Sequence, residues 1–130
     1  IAKQNAKISN MTINFFQQDI LSTSTLPKTY DVIVSNPPYV RTSEKEHMQP
    51  NVLVYEPETA LFVSDQDPLV FYRKIAKLAY QHLAPNGSLY FEINEYLGKE
   101  MIALVTAEGF LQTELRTDIF GRDRMLCCRR

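Results

Sequence analysis

The sequence predicts an α/β fold with a mostly parallel sheet and an antiparallel terminal strand. Strand-like apolar runs alternate with amphipathic helical stretches along most of the chain, a pattern that favours parallel strands joined by helices. The last two strand-like runs follow one another without a helix between them, which favours an antiparallel pair. The chain has 130 residues, 45% of them hydrophobic, and this is enough to form the core of one domain.

The first 35 residues are predicted to contain the end of a helix and two strands. Residues 1–9 place small and apolar side chains at helical spacing. Residues 12–17 are strand-like, and the run ends at Asp19-Ile20. The run 31–35 is apolar almost throughout, which is typical of a central parallel strand covered on both faces.

The rest of the chain is predicted to contain a long loop, two helices and three strands. Residues 41–67 show little periodicity, and a loop of that length is usually functional or mobile. Asp67 is expected to cap a helix whose first residue is Pro68. The apolar face of that helix consists of Phe71, Ile75, Leu78, Ala79 and Leu83. The remaining predicted elements are a strand over 88–93, a helix over 97–107 capped by Gly109, and closing strands over 110–116 and 124–128.

Composition and charge disfavour several classes of partner. The formal net charge is −1, the pI is about 6.1, and basic residues are scattered apart from Arg129-Arg130, so no footprint for a polyanion is visible and nucleic acid is disfavoured as the main partner. Cys127 and Cys128 are adjacent, a poor geometry for a disulfide and no zinc spacing, which predicts no metal site and a reducing cytoplasm. No apolar run approaches the ~20 residues that span a membrane.

The tetrad Asn36-Pro37-Pro38-Tyr39 is the strongest candidate for a site, because it directly follows the apolar run 31–35. Its prolines have no N–H, so nearby carbonyls stay free to accept hydrogen bonds. Asn36 offers both a C=O acceptor and an NH2 donor. A planar amide or amino group stacked on Tyr39 and held by Asn36 fits this arrangement. The tetrad therefore predicts methylation of a planar nitrogen, with a rigid turn as the alternative.

Two polar residues are predicted to lie at one edge of the sheet. In open α/β sheets ligands bind beyond the carboxyl ends of the strands, and both Asp19 and Asn36 follow predicted strands. Asp19 is equally compatible with a turn or capping role.

The tetrad resembles the Asn/Asp-Pro-Pro-Tyr/Phe motif of S-adenosylmethionine-dependent amino methyltransferases, which act on adenine nitrogens or glutamine amides. From Ala2 to Arg130 the chain resembles the catalytic domain of the protein-(glutamine-N5) methyltransferases of peptide-chain release factors, the HemK/PrmC family. Further landmarks in order are Ala2-Lys3-Gln4-Asn5-Ala6, Asp19-Ile20, Tyr55-Glu56-Pro57, Ala60-Leu61, Phe71-Tyr72-Arg73, Glu92-Ile93, Asp118, Gly121, Asp123 and Arg124.

For the fold, the resemblance implies a partial Rossmann-like class I methyltransferase domain. Residues 1–130 would be its C-terminal portion. The N-terminal helical domain, the first two strands of the sheet and the glycine-rich cofactor loop would precede Ile1, because no Gly-x-Gly occurs in the chain. We expect the sheet edge left open beside residues 31–36 to be covered by re-pairing or by another copy.

For the site, the resemblance implies that Asn36 bridges S-adenosylmethionine and the substrate glutamine amide. The Pro37-Pro38 turn would supply a carbonyl acceptor, and Tyr39 would pack on the amide plane. Asp19 and Ile20 would border the adenine of the cofactor. The substrate would be the glutamine of the Gly-Gly-Gln motif of release factors in the cytoplasm, with no membrane involved and no nucleic acid as direct substrate.

Two departures and two alternatives accompany the resemblance. Asn94 and Leu97 stand where the family usually has glycine and glutamine.

The alternatives are an adenine-N6 or other nucleic-acid amino methyltransferase, and a non-catalytic binding module. For Glu56, which precedes Pro57, the sequence favours bracing of the long loop over chemistry, and for Glu92 a structural role is at least as compatible as a chemical one.

Overall fold

The computed structural model describes residues 1–47 and 57–130. Its elements are α1 (Ala2–Ile8), β1 (Tyr30–Ser35), β2 (Val40–Arg41), a 3-10 helix (Thr42–His47), α2 (Glu58–Leu61), β3 (Phe62–Val63), α3 (Val70–His82), β4 (Leu83–Glu92), α4 (Gly98–Ala107), β5 (Gln112–Thr117) and β6 (Asp123–Arg129). No helix in these two ranges is long and apolar enough to cross a membrane.

The main sheet has four strands in the order β1-β4-β6-β5. β1 pairs with β4 in parallel, while β6 lies antiparallel to both β4 and β5. Three strands therefore run in one direction and only the last strand opposes them, which confirms the predicted sheet. A separate pair, β2 and β3, is parallel.

Both long helices pack on one face of this sheet and form the core with it. Tyr72 of α3 is fully buried and meets Phe91 of β4 edge to face, with ring centroids 5.2 Å apart. Met101 and Val105 of α4 are also fully buried. The core therefore lies between one sheet face and α3 and α4.

The other face of the sheet is open at β1, so the prediction that β1 is covered on both faces is wrong. Val32 is 54% exposed and Val34 is 75% exposed, whereas Ile33 packs against the core. β1 is also an edge strand, and no strand in the described ranges pairs with its outer side. The predicted re-pairing of this edge is therefore not observed, and its coverage by another copy stays a prediction.

The predicted strand over 12–17 is absent from the structure. Those residues have no regular secondary structure, and Ile13 and Phe16 are 52% and 77% exposed. A strand needs a neighbour to bond its backbone groups, and no described strand lies beside this segment. The β-branched and aromatic pattern of 12–17 favours a strand, but the described residues provide no strand to pair with it.

The start of α3 also differs from the prediction. The helix begins at Val70, after Leu69, and not at Pro68. Asp67 does not cap it with its side chain, because its carboxylate instead binds Arg73, with Oδ2 3.0 Å from Nη1. The predicted stop of α4 is confirmed: Gly109 has φ +105°, and the N–H of Phe110 donates to the carbonyl of Val105, as in a Schellman motif.

The predicted loop over 41–67 contains regular structure. β2, the 3-10 helix, α2 and β3 all fall within it. Glu56 and the Tyr55 landmark lie outside the described residues.

Candidate active site

The tetrad lies at the carboxyl end of β1, as its sequence position predicts. Asn36 follows Ser35, the last residue of β1, and is exposed, whereas Pro37 is buried. Tyr39 is half-buried and immediately precedes β2. The buried proline anchors the turn while the Asn36 carboxamide stays accessible.

The Tyr39 residue is held at both ends. Its hydroxyl donates to Glu92 Oε1 at 2.6 Å, and its backbone carbonyl accepts from Asn94 Nδ2 at 3.0 Å. Burial, followed by the hydrogen bond to Glu92, raises the pKa of Tyr39 to about 12. The hydroxyl is therefore protonated near neutral pH, and the ring is held in place by Glu92.

Asn94 connects the tetrad to the 3-10 helix. It is 4% exposed, and besides Tyr39 its Nδ2 donates to Glu44 Oε2 at 2.9 Å. Its Oδ1 accepts from the backbone N–H of Tyr96 at 2.9 Å. Although burial of the carboxylate opposes the effect, hydrogen bonds from Arg41 and Asn94 hold the pKa of Glu44 below its ordinary value. Glu44 therefore stays charged and fixes Arg41.

Glu92 binds two tyrosine hydroxyls, one through its carboxylate and one through its backbone carbonyl. Its carboxylate accepts the Tyr39 hydroxyl, and its backbone carbonyl accepts the Tyr72 hydroxyl at 2.9 Å. Sequence reasoning left the role of Glu92 open and missed Glu44 and Asn94 as neighbours of the tetrad. Asn94 did carry a signal, since it replaces the glycine usual in the family that the sequence resembles.

Three cavities surround the tetrad, and its residues are divided among them. The apolar cavity, about 330 Å³, is lined by Ile20, Leu26, Ile33, Val34, Ser35, Pro37, Pro38, Phe71, Ile75, Leu78 and Ala79. The second, about 290 Å³, lies beside Asn36 and Glu92. The third, here called the polar cleft, is about 560 Å³ and is lined by Tyr39, Val40, Arg41, Ser43, Glu44, Asn94, Glu95, Tyr96, Arg122 and Arg124. The structure thus brings Ile20 next to the prolines.

Asp19 forms a turn. Its Oδ1 accepts the backbone N–H of Leu21 at 3.0 Å, and its carbonyl accepts the Thr23 hydroxyl at 2.7 Å. The side chain is exposed and does not line the apolar cavity. The capping role considered for Asp19 is therefore present, and a cofactor role stays a prediction.

Metal binding receives no support from the described ranges. Within residues 1–47 and 57–130, no three or more His, Cys, Asp and Glu side chains are grouped so as to hold a metal ion. What the tetrad offers chemically is a donor and an acceptor on one accessible carboxamide and, three residues later, an aromatic ring whose hydroxyl is bound to Glu92.

Comparison with known proteins places this arrangement in a family. A family model described as the methyltransferase small domain matches residues 1–66, a stretch that includes the tetrad. The chain belongs to the methyltransferase small domain family. Its resemblance to the protein-(glutamine-N5) methyltransferases is also confirmed by curated relatives.

Two of these relatives are named release factor glutamine methyltransferase. The one from Flavobacterium psychrophilum is 52% identical over 96% of this chain and 44% of its own length. The one from Bacteroides thetaiotaomicron is 47% identical over 100% of this chain and 47% of its own length. This methyltransferase small domain chain therefore spans about half the length of the curated relatives it matches.

A solved structure supports the same fold. The methyltransferase from Pyrococcus furiosus has a TM-score of 0.61 at 18% identity, and the match covers 98% of this chain and 55% of that one. At this identity the similarity concerns the fold alone. Together with the family, it confirms the partial Rossmann-like class I architecture.

Proposed function

We propose that this chain supplies the substrate-binding part of an S-adenosylmethionine-dependent methyltransferase. The methyl group would pass to the side-chain amide nitrogen of the glutamine in the Gly-Gly-Gln motif of peptide-chain release factors. The observation that carries the proposal is the accessible Asn36 carboxamide at the carboxyl end of β1, followed in the same tetrad by a tyrosine whose hydroxyl is bound to Glu92. The names of the two relatives support the choice of substrate.

The chemistry explains why these residue types suit the reaction. An amide nitrogen is a poor nucleophile because its lone pair is delocalised over the carbonyl. Asn36 and a carbonyl of the Pro37-Pro38 turn can accept the N–H bonds of the glutamine amide, while Tyr39 supports its plane. Such positioning lowers the barrier without an ionised base.

The residues near the tetrad fit the adenosyl part of the cofactor. S-adenosylmethionine would supply the electrophilic methyl group. Ile20 and the prolines line one apolar cavity of about 330 Å³, and apolar surfaces with a few polar groups at the rim are typical of cofactor sites. Asp19 Oδ2 makes no hydrogen bond in the described part of the chain, so it is available to an amino donor. We therefore assign Asp19 and Ile20 to the adenine end.

The charge of the chain favours a protein substrate in the cytoplasm. A net charge of −1 provides little attraction for a polyanion. Cys127 and Cys128 are both free thiols, which suits a reducing compartment.

The test is methyl transfer from radiolabelled S-adenosylmethionine, using the complete protein encoded by the gene. We expect label on purified release factor, and a rate lower by about 10²-fold or more for Asn36→Ala, because one preorganised polar contact to the reacting amide is lost. Asn14→Ala is the control, since Asn14 is also exposed but lines a different surface cavity, together with residues of α1. Label on DNA or RNA instead of release factor would support the adenine-N6 alternative and contradict the proposal.

A further inference from the structure

The polar cleft continues the tetrad site toward the β5–β6 turn. Tyr39 lines the cleft together with Arg122, which lies in the β5–β6 turn, and Arg124, which lies in β6. Arg122 Nη1 lies 3.3 Å from Glu95 Oε1, which connects the turn to the segment after β4. A molecule bound at the tetrad would therefore meet the turn next.

The β5–β6 turn is firmly built although its side chains point into solvent. Asp118 Oδ1 accepts the backbone N–H groups of Phe120 and Arg122 at 2.8 and 3.1 Å, and Gly121 takes φ +77°. Ile119 is 93% exposed and Phe120 is 78% exposed. An ordered turn that presents two adjacent large apolar side chains is a feature of interaction sites more than of ordinary surface.

Arg124 offers donors to the cleft. Its side chain is 27% exposed, and its Nε lies 3.6 Å from Asp118 Oδ2, which is beyond hydrogen-bond distance. It is therefore only loosely paired with Asp118, and it also lies near the Tyr39 hydroxyl, where its charge and a hydrogen bond partly offset the rise in the pKa of Tyr39. By contrast, Arg41 is occupied by Glu44, with Nη2 2.7 Å from Oε1. A guanidinium has five N–H donors, more than Asp118 and Tyr39 can occupy, and the remaining ones suit the carbonyl or carboxylate oxygens of a polypeptide.

We propose that the polar cleft and the exposed pair Ile119 and Phe120 form the docking surface for the protein substrate. An extended segment next to the acceptor glutamine would lie in the cleft, with its oxygens near Arg124. An apolar side chain of the partner would rest on Ile119 and Phe120. This inference rests on the proposed function and adds the surface by which the partner is bound.

A polypeptide is favoured over nucleic acid by the charges of the cleft. Arg41 and Arg122 are each paired with a glutamate, so the cleft has little of the surplus positive charge that phosphates require. Two adjacent apolar side chains instead match the composition of protein interface cores, in which aromatic residues and arginine are enriched.

The test compares the double variant Ile119→Ser/Phe120→Ser with the control Leu111→Ser in the complete protein. Leu111 is 87% exposed but precedes β5, at the end of that strand away from the turn. We expect calorimetric affinity for purified release factor to fall about tenfold or more in the double variant and to stay within about twofold in the control. In methyl transfer the KM should rise while kcat stays unchanged, because the tetrad is untouched.

Equal affinity of all three proteins for release factor, or no binding by the wild type, would overturn the docking surface. So would an RNA oligonucleotide whose binding depends on Ile119 and Phe120 while release factor binding does not. Because binding is measured directly, a wild type that binds release factor without methylating it supports the docking surface and contradicts the proposed function.

Discussion

At the residue scale, the site depends on contacts between residues far apart in the chain. Tyr39 is fixed by Glu92 and Asn94, which are 53 and 55 positions away. Asn36 and Tyr39 could be predicted as site residues from the sequence, because the prolines between them and the strand before them are local features. The sequence could not predict the role of Asn94, because its hydrogen bonds to Tyr39 and Glu44 exist only once β4 lies beside β1.

The buried amide of Asn94 gives a prediction for stability. Asn94→Ala leaves the Tyr39 carbonyl without its side-chain donor and removes one of the donors to Glu44, which keeps those of Arg41. We expect it to lower the free energy of unfolding by about 1–3 kcal/mol. The exposed Asn14→Ala should change it by less than about 0.5 kcal/mol. Urea unfolding of both variants measures the difference, and equal stability would mean that Asn94 does not hold the tetrad.

At the element scale, helix and turn ends follow local backbone rules. Gly109 ends α4 with φ +105°, and Gly121 lies in the β5–β6 turn with φ +77°. The two glycines share a left-handed backbone but differ in the space around them. A Cβ on Gly109 would lie 2.8 Å from Tyr80 Cζ, whereas a Cβ on Gly121 would meet nothing within 4 Å.

This contrast predicts two different costs for the same substitution. Gly109→Ala should lower the free energy of unfolding by more than about 2 kcal/mol, because backbone strain and a clash add together, and Gly121→Ala by about 1 kcal/mol from backbone strain alone. Chemical denaturation of the two variants would decide, and a smaller loss at Gly109 than at Gly121 would contradict the packing of Tyr80.

Local sequence patterns predicted correctly the elements that depend on nearby residues, and they failed where the structure depends on contacts with other parts of the chain. The structure confirms the predicted helix α4, its end at Gly109 and the antiparallel pairing of β5 with β6. The strand over 12–17 was wrong because pairing requires another strand. Asp67 was wrong as a cap because its carboxylate binds Arg73 instead.

At the scale of the whole molecule, the described residues cover only one face of the sheet. α3 and α4 bury one face, while Val32 and Val34 of the edge strand β1 stay largely exposed. The apolar run 31–35 predicts cover on both faces of β1, but the sequence does not show which element would cover the second face. An unpaired apolar edge favours association.

The 130-residue chain is therefore expected to self-associate as its concentration rises. Val34→Lys should weaken that association, because a charged side chain at an edge opposes strand pairing. Since Val34 is 75% exposed, the substitution should leave the free energy of unfolding nearly unchanged. Sedimentation velocity over a range of concentrations measures the effect, and a wild-type chain that stays monomeric throughout would contradict it.

The central claim concerns which atom receives the methyl group. Release factor incubated with S-adenosylmethionine and the complete protein should be digested and its peptides fragmented in a mass spectrometer. The account predicts a single methyl group on the side-chain amide nitrogen of the glutamine in the Gly-Gly-Gln peptide, absent when Asn36→Ala replaces the wild type. A methyl group on any other residue, or on nucleic acid alone, would contradict it.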